Sequence, residues 1–375
     1  MNNVSVKNVV KFAGAFVACA IGSGFATGQE VMQFFSGQGI MSIVGTIITT
    51  IVFAWCGGMF MKHGYEHRLE SPAQIIDFYF GKKLGKAIEL IFQIFLFGVF
   101  VIMIAGAGTT LSEYYGLNPM VGRIGMAAIA FGTVILGLTK LTDILGNLGT
   151  VIIVFAVGIG LVSFVSHIGN LSTAAAVIPT LDITKTAGGW LWSSILYPGF
   201  NAIVVIFLTC AMGRTANSAK EAMYGGVLGG ILFGAAILVL NLGIIVNITD
   251  VYTKGVPTLA LAQQISPIFA LIFSVIICCG IYTTTVPMLW SVARHFAEDG
   301  SKKFVLIALG ATVLGLALGM TSFKVLVNII YPLSGYMGVA LFGFIAYREL
   351  QGKKITLRKP TAVRVSERSD DSRAA

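Results

Sequence analysis

The chain has 375 residues, of which 25 are basic and 16 are acidic, so charged residues make up only 11 % of the sequence. Soluble domains usually carry about 25 % charged residues. So few charges cannot cover a water-facing surface, which excludes a pair of ordinary soluble domains. Apolar runs of roughly 20 residues, the length needed to cross a bilayer, recur along the whole chain. The composition therefore predicts an all-α polytopic membrane protein.

Ten membrane spans are predicted within a single transmembrane domain covering residues 1–347. Eight of the 25 basic residues follow Ala346, so residues 348–375 are predicted to form a disordered cytoplasmic tail. In chain order, the spans are expected near residues 8–37, 39–61, 86–111, 119–139, 142–167, 187–213, 218–246, 266–293, 304–320 and 325–347.

The distribution of Lys and Arg orients these spans. With both termini in the cytoplasm, 21 of the 25 basic residues lie inside, as the positive-inside rule requires. We therefore expect a multi-pass protein of the plasma (inner) membrane. A cleavable signal peptide ending near Ala18-Cys19-Ala20 is the alternative for the N-terminus, but cleavage there would separate the glycine-rich motif that follows from the first half of its own span.

Spans one and six each contain residues that interrupt a helix at the corresponding place. Span one contains Gly22-Ser23-Gly24, and span six contains Pro198-Gly199. Glycine lowers helix propensity, and proline removes a backbone donor. Both helices are therefore predicted to be discontinuous near mid-membrane, where broken backbone must line a cavity or a ligand.

These two breaks divide the spans into two groups of five, near residues 8–167 and 187–347. An odd number of spans per group inserts the second group upside down, which is the pattern of inverted-repeat secondary transporters. The alternative for each break is a kink or a close helix contact.

The segment Ile21-Gly22-Ser23-Gly24 resembles the glycine-rich break in span one of the amino acid, polyamine and organocation transporter superfamily. The longer string from Gly22 to Glu30, GSGFATGQE, resembles more narrowly that of the YkvI-like bacterial membrane proteins. The resemblance implies the leucine-transporter fold, with a 5+5 inverted repeat and a central substrate site. It also implies a coupling sodium ion between spans one and eight. The matching positions are the carbonyls of Ala18, Ile21 and Gly280 and the hydroxyls of Thr283 and Thr284.

The three span-eight positions share one helical face, and their neutral oxygens suit a monovalent cation. Alternatively, the threonines bond back to their own helix. A second sodium ion is doubtful, because Cys19 and Ala26 stand where the family has asparagines.

The expected substrate is an amino acid or a similar small zwitterion. Amides after the breaks favour a carboxylate, freed carbonyls accept an amine, and glycines permit close approach. Aromatic side chains are candidates for the apolar wall, although each could simply pack between helices, and an aromatic cage for a quaternary ammonium group is the alternative chemistry. The candidate substrate residues are Gly22, Ser23, Gly24, Phe25, Tyr197, Gly199, Phe200, Asn201 and Tyr282.

The predicted function is a secondary active transporter, most simply a sodium-coupled symporter. Alternatives are a transporter of another organic solute, coupled to protons or working by exchange, and a receptor on the same fold that does not transport. No enzyme activity, no cofactor besides sodium, no nucleic-acid partner and no obligate protein partner are expected; the partners are a small-molecule substrate and the lipid bilayer.

Four further features receive an interpretation. Glu30 could carry a proton, pair with a substrate amine or cap the outer vestibule, and the vestibule is favoured. Residues 63–67 match the H-x-x-E-H protease motif but are interpreted as a juxtamembrane loop. Glycines 225, 226, 229, 230 and 234 are expected to permit close helix packing. The five cysteines are interpreted as small core residues.

Overall fold

The computed structural model describes residues 4–69, 71–137 and 142–351, and there the regular structure is helical. Sixteen α-helices follow one another: α1 Val6–Ala20, α2 Ser23–Thr27, α3 Gln29–Phe34, α4 Ser42–His67, α5 Pro72–Phe80, α6 Lys82–Tyr115, α7 Pro119–Leu136, α8 Thr142–His167, α9 Leu171–Val177, α10 Gly189–Arg214, α11 Ala219–Ile245, α12 Ile248–Val251, α13 Pro257–Ile265, α14 Pro267–Phe296, α15 Lys302–Leu318 and α16 Phe323–Gln351.

Among the described residues, eight helices are long and apolar enough to cross a membrane. Long aliphatic side chains such as Ile51, Val154, Ile268 and Leu306 point outward and are more than half exposed, as a lipid-facing surface requires. The prediction of a polytopic helical membrane protein is confirmed. The count of ten is not, because predicted span one is divided among short helices and predicted span nine, α15, has only 17 residues.

The expected interruption of span one is present. Helix α1 ends at Ala20, Ile21 and Gly22 are extended, and α2 begins at Ser23. Gly28 then takes a left-handed conformation with φ of 74°, which glycine adopts without steric cost, and α3 follows. The first span therefore crosses the core in three pieces, with main-chain groups bare at its centre.

The expected interruption of span six is wrong. Helix α10 runs without a break through Pro198 and Gly199. Pro198 cannot donate to the carbonyl of Ser194, four residues earlier, but the hydroxyl of Thr49 on α4 donates to that carbonyl at 2.7 Å. Because a neighbouring helix satisfies the freed group, the backbone has no need to unwind. Phe200 and Asn201 consequently do not begin a half-helix.

The glycines of α11 permit close packing, as expected. A Cβ on Gly226 would lie 2.1 Å from the carbonyl oxygen of Gly57 on α4, and one on Gly229 would lie 2.7 Å from Cβ of Phe16 on α1. The glycines form two rows, one against each neighbouring helix: Gly226, Gly230 and Gly234 face α4, and Gly225 and Gly229 face α1.

Two predicted boundaries at helix ends are wrong. Residues 63–67 do not form a loop but complete helix α4, where His63 is buried and bonds to Tyr79 and Glu349. Helix α16 continues to Gln351, past the predicted start of the tail; residues 352–375 lie outside the described part of the chain. Cys56 and Cys210 are buried, whereas Cys279 is exposed and therefore is not a core residue.

Candidate functional site

A cavity of about 310 Å³ opens at the break between α1 and α2. Its wall combines the exposed backbone of the break with side chains from α3, α6, α8, α10, α14 and α16. Most of these side chains are apolar, so the polar groups are concentrated at the break and at a few side chains. The polar side chains in the lining are Ser23, Glu30, Asn201, Thr283, Thr284 and Tyr331.

All five predicted sodium ligands line this cavity: Ala18, Ile21, Gly280, Thr283 and Thr284. The hydroxyls of both threonines donate to the carbonyl of Gly280 at 3.0 Å, so they bond back to their own helix. The hydroxyl of Ser23 lies 3.4 Å from that of Thr284 and links α2 to α14. The oxygens are brought together, while their role as ion ligands stays a prediction.

Pro287 leaves the main-chain carbonyl of Thr283 without its usual donor, which was not predicted from the sequence. It lies inside α14, four residues after Thr283, and has no N–H to donate to the Thr283 carbonyl. The cavity-lining turn of α14 therefore contains a main-chain oxygen without its helical donor.

Five predicted substrate residues also line the cavity: Gly22, Ser23, Gly24, Phe200 and Asn201. The other four contact neighbouring elements instead. The ring of Phe25 packs on that of Phe233 at 5.8 Å, and a Cβ on Gly199 would lie 2.5 Å from the carbonyl oxygen of Gly335.

The remaining two are tyrosines. The hydroxyl of Tyr197 donates to Glu30 from behind the wall, and Tyr282 shares a hydrogen bond with Thr133 on α7. These contacts match the packing alternative for the aromatic side chains rather than a place in the wall.

Glu30 and Tyr331 complete the polar part of the wall. The side chain of Glu30 is 6 % exposed and lines the cavity, and its role in an outer vestibule stays a prediction. The hydroxyl of Tyr331 lies beside Glu30, since both groups are within 3.0 Å of the Cβ position of Gly24, and the ring of Tyr331 stacks on Phe200 with a centroid distance of 4.6 Å. The acidic residue was visible in the sequence, whereas no local pattern distinguishes Tyr331 from a packing aromatic.

The cavity extends from the break toward the end of α1 that holds the N-terminus, since Phe95, Val204 and Met288 line it on that side. The opposite side is closed by polar contacts. Thr258 on α13 donates to the carbonyl of Ala26 at 2.5 Å, and Gln33 on α3 donates to the carbonyl of Lys324 at 2.9 Å. The structure is thus closed on one side of the break.

Two known proteins are similar to this chain in sequence over most of its length. No protein-family model matches the chain. It is 25 % identical to the uncharacterized protein YyaD of Bacillus subtilis (strain 168), over 86 % of this chain and 91 % of that one. It is 22 % identical to the uncharacterized membrane protein YkvI of the same organism, over 89 % and 94 %.

Two solved structures share the arrangement of helices. A Na⁺-coupled sialic acid symporter, solved with substrate in an outward-open state, aligns with a TM-score of 0.58 and 13 % identity, over 89 % of this chain and 78 % of that one. A manganese transporter variant of Eremococcus coleocola aligns with a TM-score of 0.53 and 14 % identity, over 91 % and 78 %. The chain therefore has the fold of a membrane transporter.

Proposed function

We propose that the protein is a secondary active transporter that moves an amino acid or a similar small zwitterion by alternating access, coupled to sodium. The observation that carries the proposal is the interrupted first span, which exposes main-chain groups to a cavity at the centre of a transporter fold. Broken backbone at that depth is stable only where it meets protein, water or a ligand.

The closure on one side supports alternating access. If the N-terminus is cytoplasmic, the cavity faces inward and the contacts at Ala26 and Lys324 close the outer side. An outward-facing state would have to break these contacts and cover the cavity wall near Phe95. Assignment to the amino acid, polyamine and organocation superfamily, with ten spans in two inverted repeats, is part of this proposal.

The oxygens of α1 and α14 support sodium as the coupling ion. They are neutral, they belong to separate helices, and they line one cavity. A site shared by two helices links ion binding to the relative position of those helices. One sodium ion moving down 100 mV provides about 2.3 kcal/mol, enough for a roughly fifty-fold concentration ratio.

Solute counterflow tests the proposal. Proteoliposomes loaded with one amino acid from a panel should accumulate the labelled compound from outside, and a sodium gradient should drive net uptake. Binding without exchange would identify a receptor and reject the transport function.

The ion site has a separate test in the double variant Thr283→Ala with Thr284→Ala. It should abolish the sodium-dependent rise in melting temperature, because it removes two ligands. Thr285→Ala is the matched control, since its hydroxyl also donates to its own helix, at the Ile281 carbonyl, but does not line the cavity. Unchanged sodium dependence in the double variant would reject the site.

A further inference from the structure

Glu30 is a buried acid in the cavity wall that the sodium site does not use. Its Oε2 accepts a hydrogen bond from Tyr197 at 3.3 Å, and the hydroxyl of Tyr331 on α16 lies beside it, next to Gly24. A Cβ on Gly24 would lie 1.7 Å from Oε1 of Glu30. Because Gly24 has no side chain, the carboxyl group of Glu30 has room beside the break.

Both groups beside Glu30 are neutral hydroxyls. Within the part of the chain that the structure describes, no lysine, arginine or histidine forms an ion pair with it. Lys324 on α16 donates instead to the carbonyls of Tyr252 and Thr253.

The remaining titratable side chains around Glu30 bring no cation to it. Helices α2 and α13 contain no titratable side chain, and the titratable side chains of α11 lie at its N-terminal end, away from Glu30. The titratable groups on the packed helices are Tyr197, Cys210 and Arg214 on α10, Lys220, Glu221 and Tyr224 on α11, and Lys324, Tyr331, Tyr336, Tyr347, Arg348 and Glu349 on α16, and the cavity wall adds Cys19. Each of the two arginines lies 17 residues, about 25 Å along its helix, beyond the tyrosine near Glu30.

A buried carboxylate without a cation is strongly disfavoured, so it must hold a proton or meet a positive charge from the cavity. The rest of the cavity wall restricts the kind of molecule that can carry this positive charge. Phe95, Leu96, Val99 and Met288 are apolar, and the stacked rings of Phe200 and Tyr331 add an aromatic surface next to the acid. A single acidic group in such a wall suits an organic cation with an apolar body.

We propose that Glu30 binds the ammonium group of an organic amine with an apolar body, such as an apolar amino acid, and that this ammonium group displaces a proton from the carboxyl. Before binding, the carboxyl is neutral and its proton occupies one oxygen. On binding, the proton passes to water, and the ionised carboxylate accepts N–H hydrogen bonds from the ammonium group. With a simple amine the net charge in the cavity stays zero, whereas an amino acid also brings its own carboxylate, whose negative charge the proposed sodium ion would balance. This assignment rests on the proposed transport function and names its substrate class.

The test uses the full-length protein in detergent micelles and three matched probes for each apolar side chain: the amino acid, the amine lacking the carboxylate and the acid lacking the amine. For leucine these are leucine, 3-methylbutylamine and 4-methylpentanoate. Calorimetric titration in two buffers of different ionisation enthalpy measures affinity and the number of protons released. Glu30→Gln removes the charge with little change of shape, and Glu298→Gln, at an exposed site, is the control.

We expect at least one amine-bearing probe to bind and to release one proton, with affinity falling about tenfold for each pH unit lowered while the carboxyl is protonated. The matching acid should not bind. Glu30→Gln should weaken amine binding at least tenfold and end proton release, whereas Glu298→Gln should match the wild type.

Amine binding of unchanged affinity in Glu30→Gln would overturn the proposal. So would the absence of proton release between pH 5 and 9, failure of every amine-bearing probe to bind, or proton release by sodium chloride alone with no response to amines. Counterflow separates the two proposals. Exchange of a solute that lacks an amine would refute the role of Glu30 and leave transport intact, while Glu30-dependent amine binding without exchange would refute transport alone.

Discussion

Replacing Thr49 by valine should destabilise the protein, because it removes the hydroxyl that donates to the Ser194 carbonyl in place of the N–H that Pro198 lacks. Thr49 is fully buried, and its hydroxyl donates to the carbonyl of Ser194 at 2.7 Å. Valine has nearly the same shape but no hydroxyl, so the carbonyl loses the partner that replaces the missing N–H of Pro198.

The expected loss lies between two known costs. Hydrogen bonds between membrane helices average about 0.6 kcal/mol and reach about 1.7 kcal/mol, whereas a buried polar group left without a partner costs about 1 to 3 kcal/mol. Thr49→Val should therefore lower the free energy of unfolding by about 1 to 2 kcal/mol. Thr46→Val is the matched control: Thr46 is also buried, but its hydroxyl donates to the Ile43 carbonyl within α4.

Pro198→Ala provides the decisive comparison, because alanine restores an N–H that can donate to the Ser194 carbonyl. In that background Thr49→Val should cost less than about 0.5 kcal/mol, which gives a positive coupling energy in a double-mutant cycle. Reversible unfolding in mixed micelles, followed by tryptophan fluorescence, measures all four proteins. An equal cost of Thr49→Val in both backgrounds would refute the explanation for the continuous helix.

Two more predictions concern packing and charge. Gly226→Ala should lower the free energy of unfolding by about 1 to 3 kcal/mol, because its Cβ would overlap the Gly57 carbonyl. Gly14→Ala is the control and should not lower it, because nothing lies within 4 Å of the added carbon. Equal melting temperatures of the two variants would contradict this prediction. For Glu349, partial burial is the largest single influence and raises the pKa, but the hydrogen bonds and charges of His63 and Lys62 together outweigh it, and the net pKa falls below its ordinary 4.5. Wild type should thus be slightly more stable than Glu349→Gln above pH 4.5, by less than about 1 kcal/mol because the carboxylate of Glu349 is 40 % exposed, and the difference should vanish as the pH falls through the lowered pKa. A difference in melting temperature that grows in acid would contradict the assignment.

Much of the fold could be predicted from local pattern. Apolar runs located the long helices to within a few residues, and the glycines around Gly22 located the break, because helix propensity and hydrophobic length act over short stretches of chain. The glycine rows of α11 were likewise interpretable as contact surfaces.

The candidate site was only partly predictable. Five sodium positions and five substrate positions do line one cavity, but Phe25, Tyr197, Gly199 and Tyr282 pack elsewhere. An aromatic residue or a glycine near a break looks the same in sequence whether it faces a ligand or a helix, and only the position of its neighbours separates the two.

The amino-acid sequence by itself determined that this chain lies in a membrane, where its helices run and where the first of them opens, since each depends on residues close together in the chain. Tertiary structure alone decided that α10 remains whole, because the hydroxyl that satisfies its freed carbonyl comes from Thr49, 145 residues away. It also decided that Glu30 lies in the cavity wall, where hydroxyls from α10 and α16 lie beside its carboxyl group. Contacts between distant segments set the environment of a buried polar group, and that environment sets its chemistry.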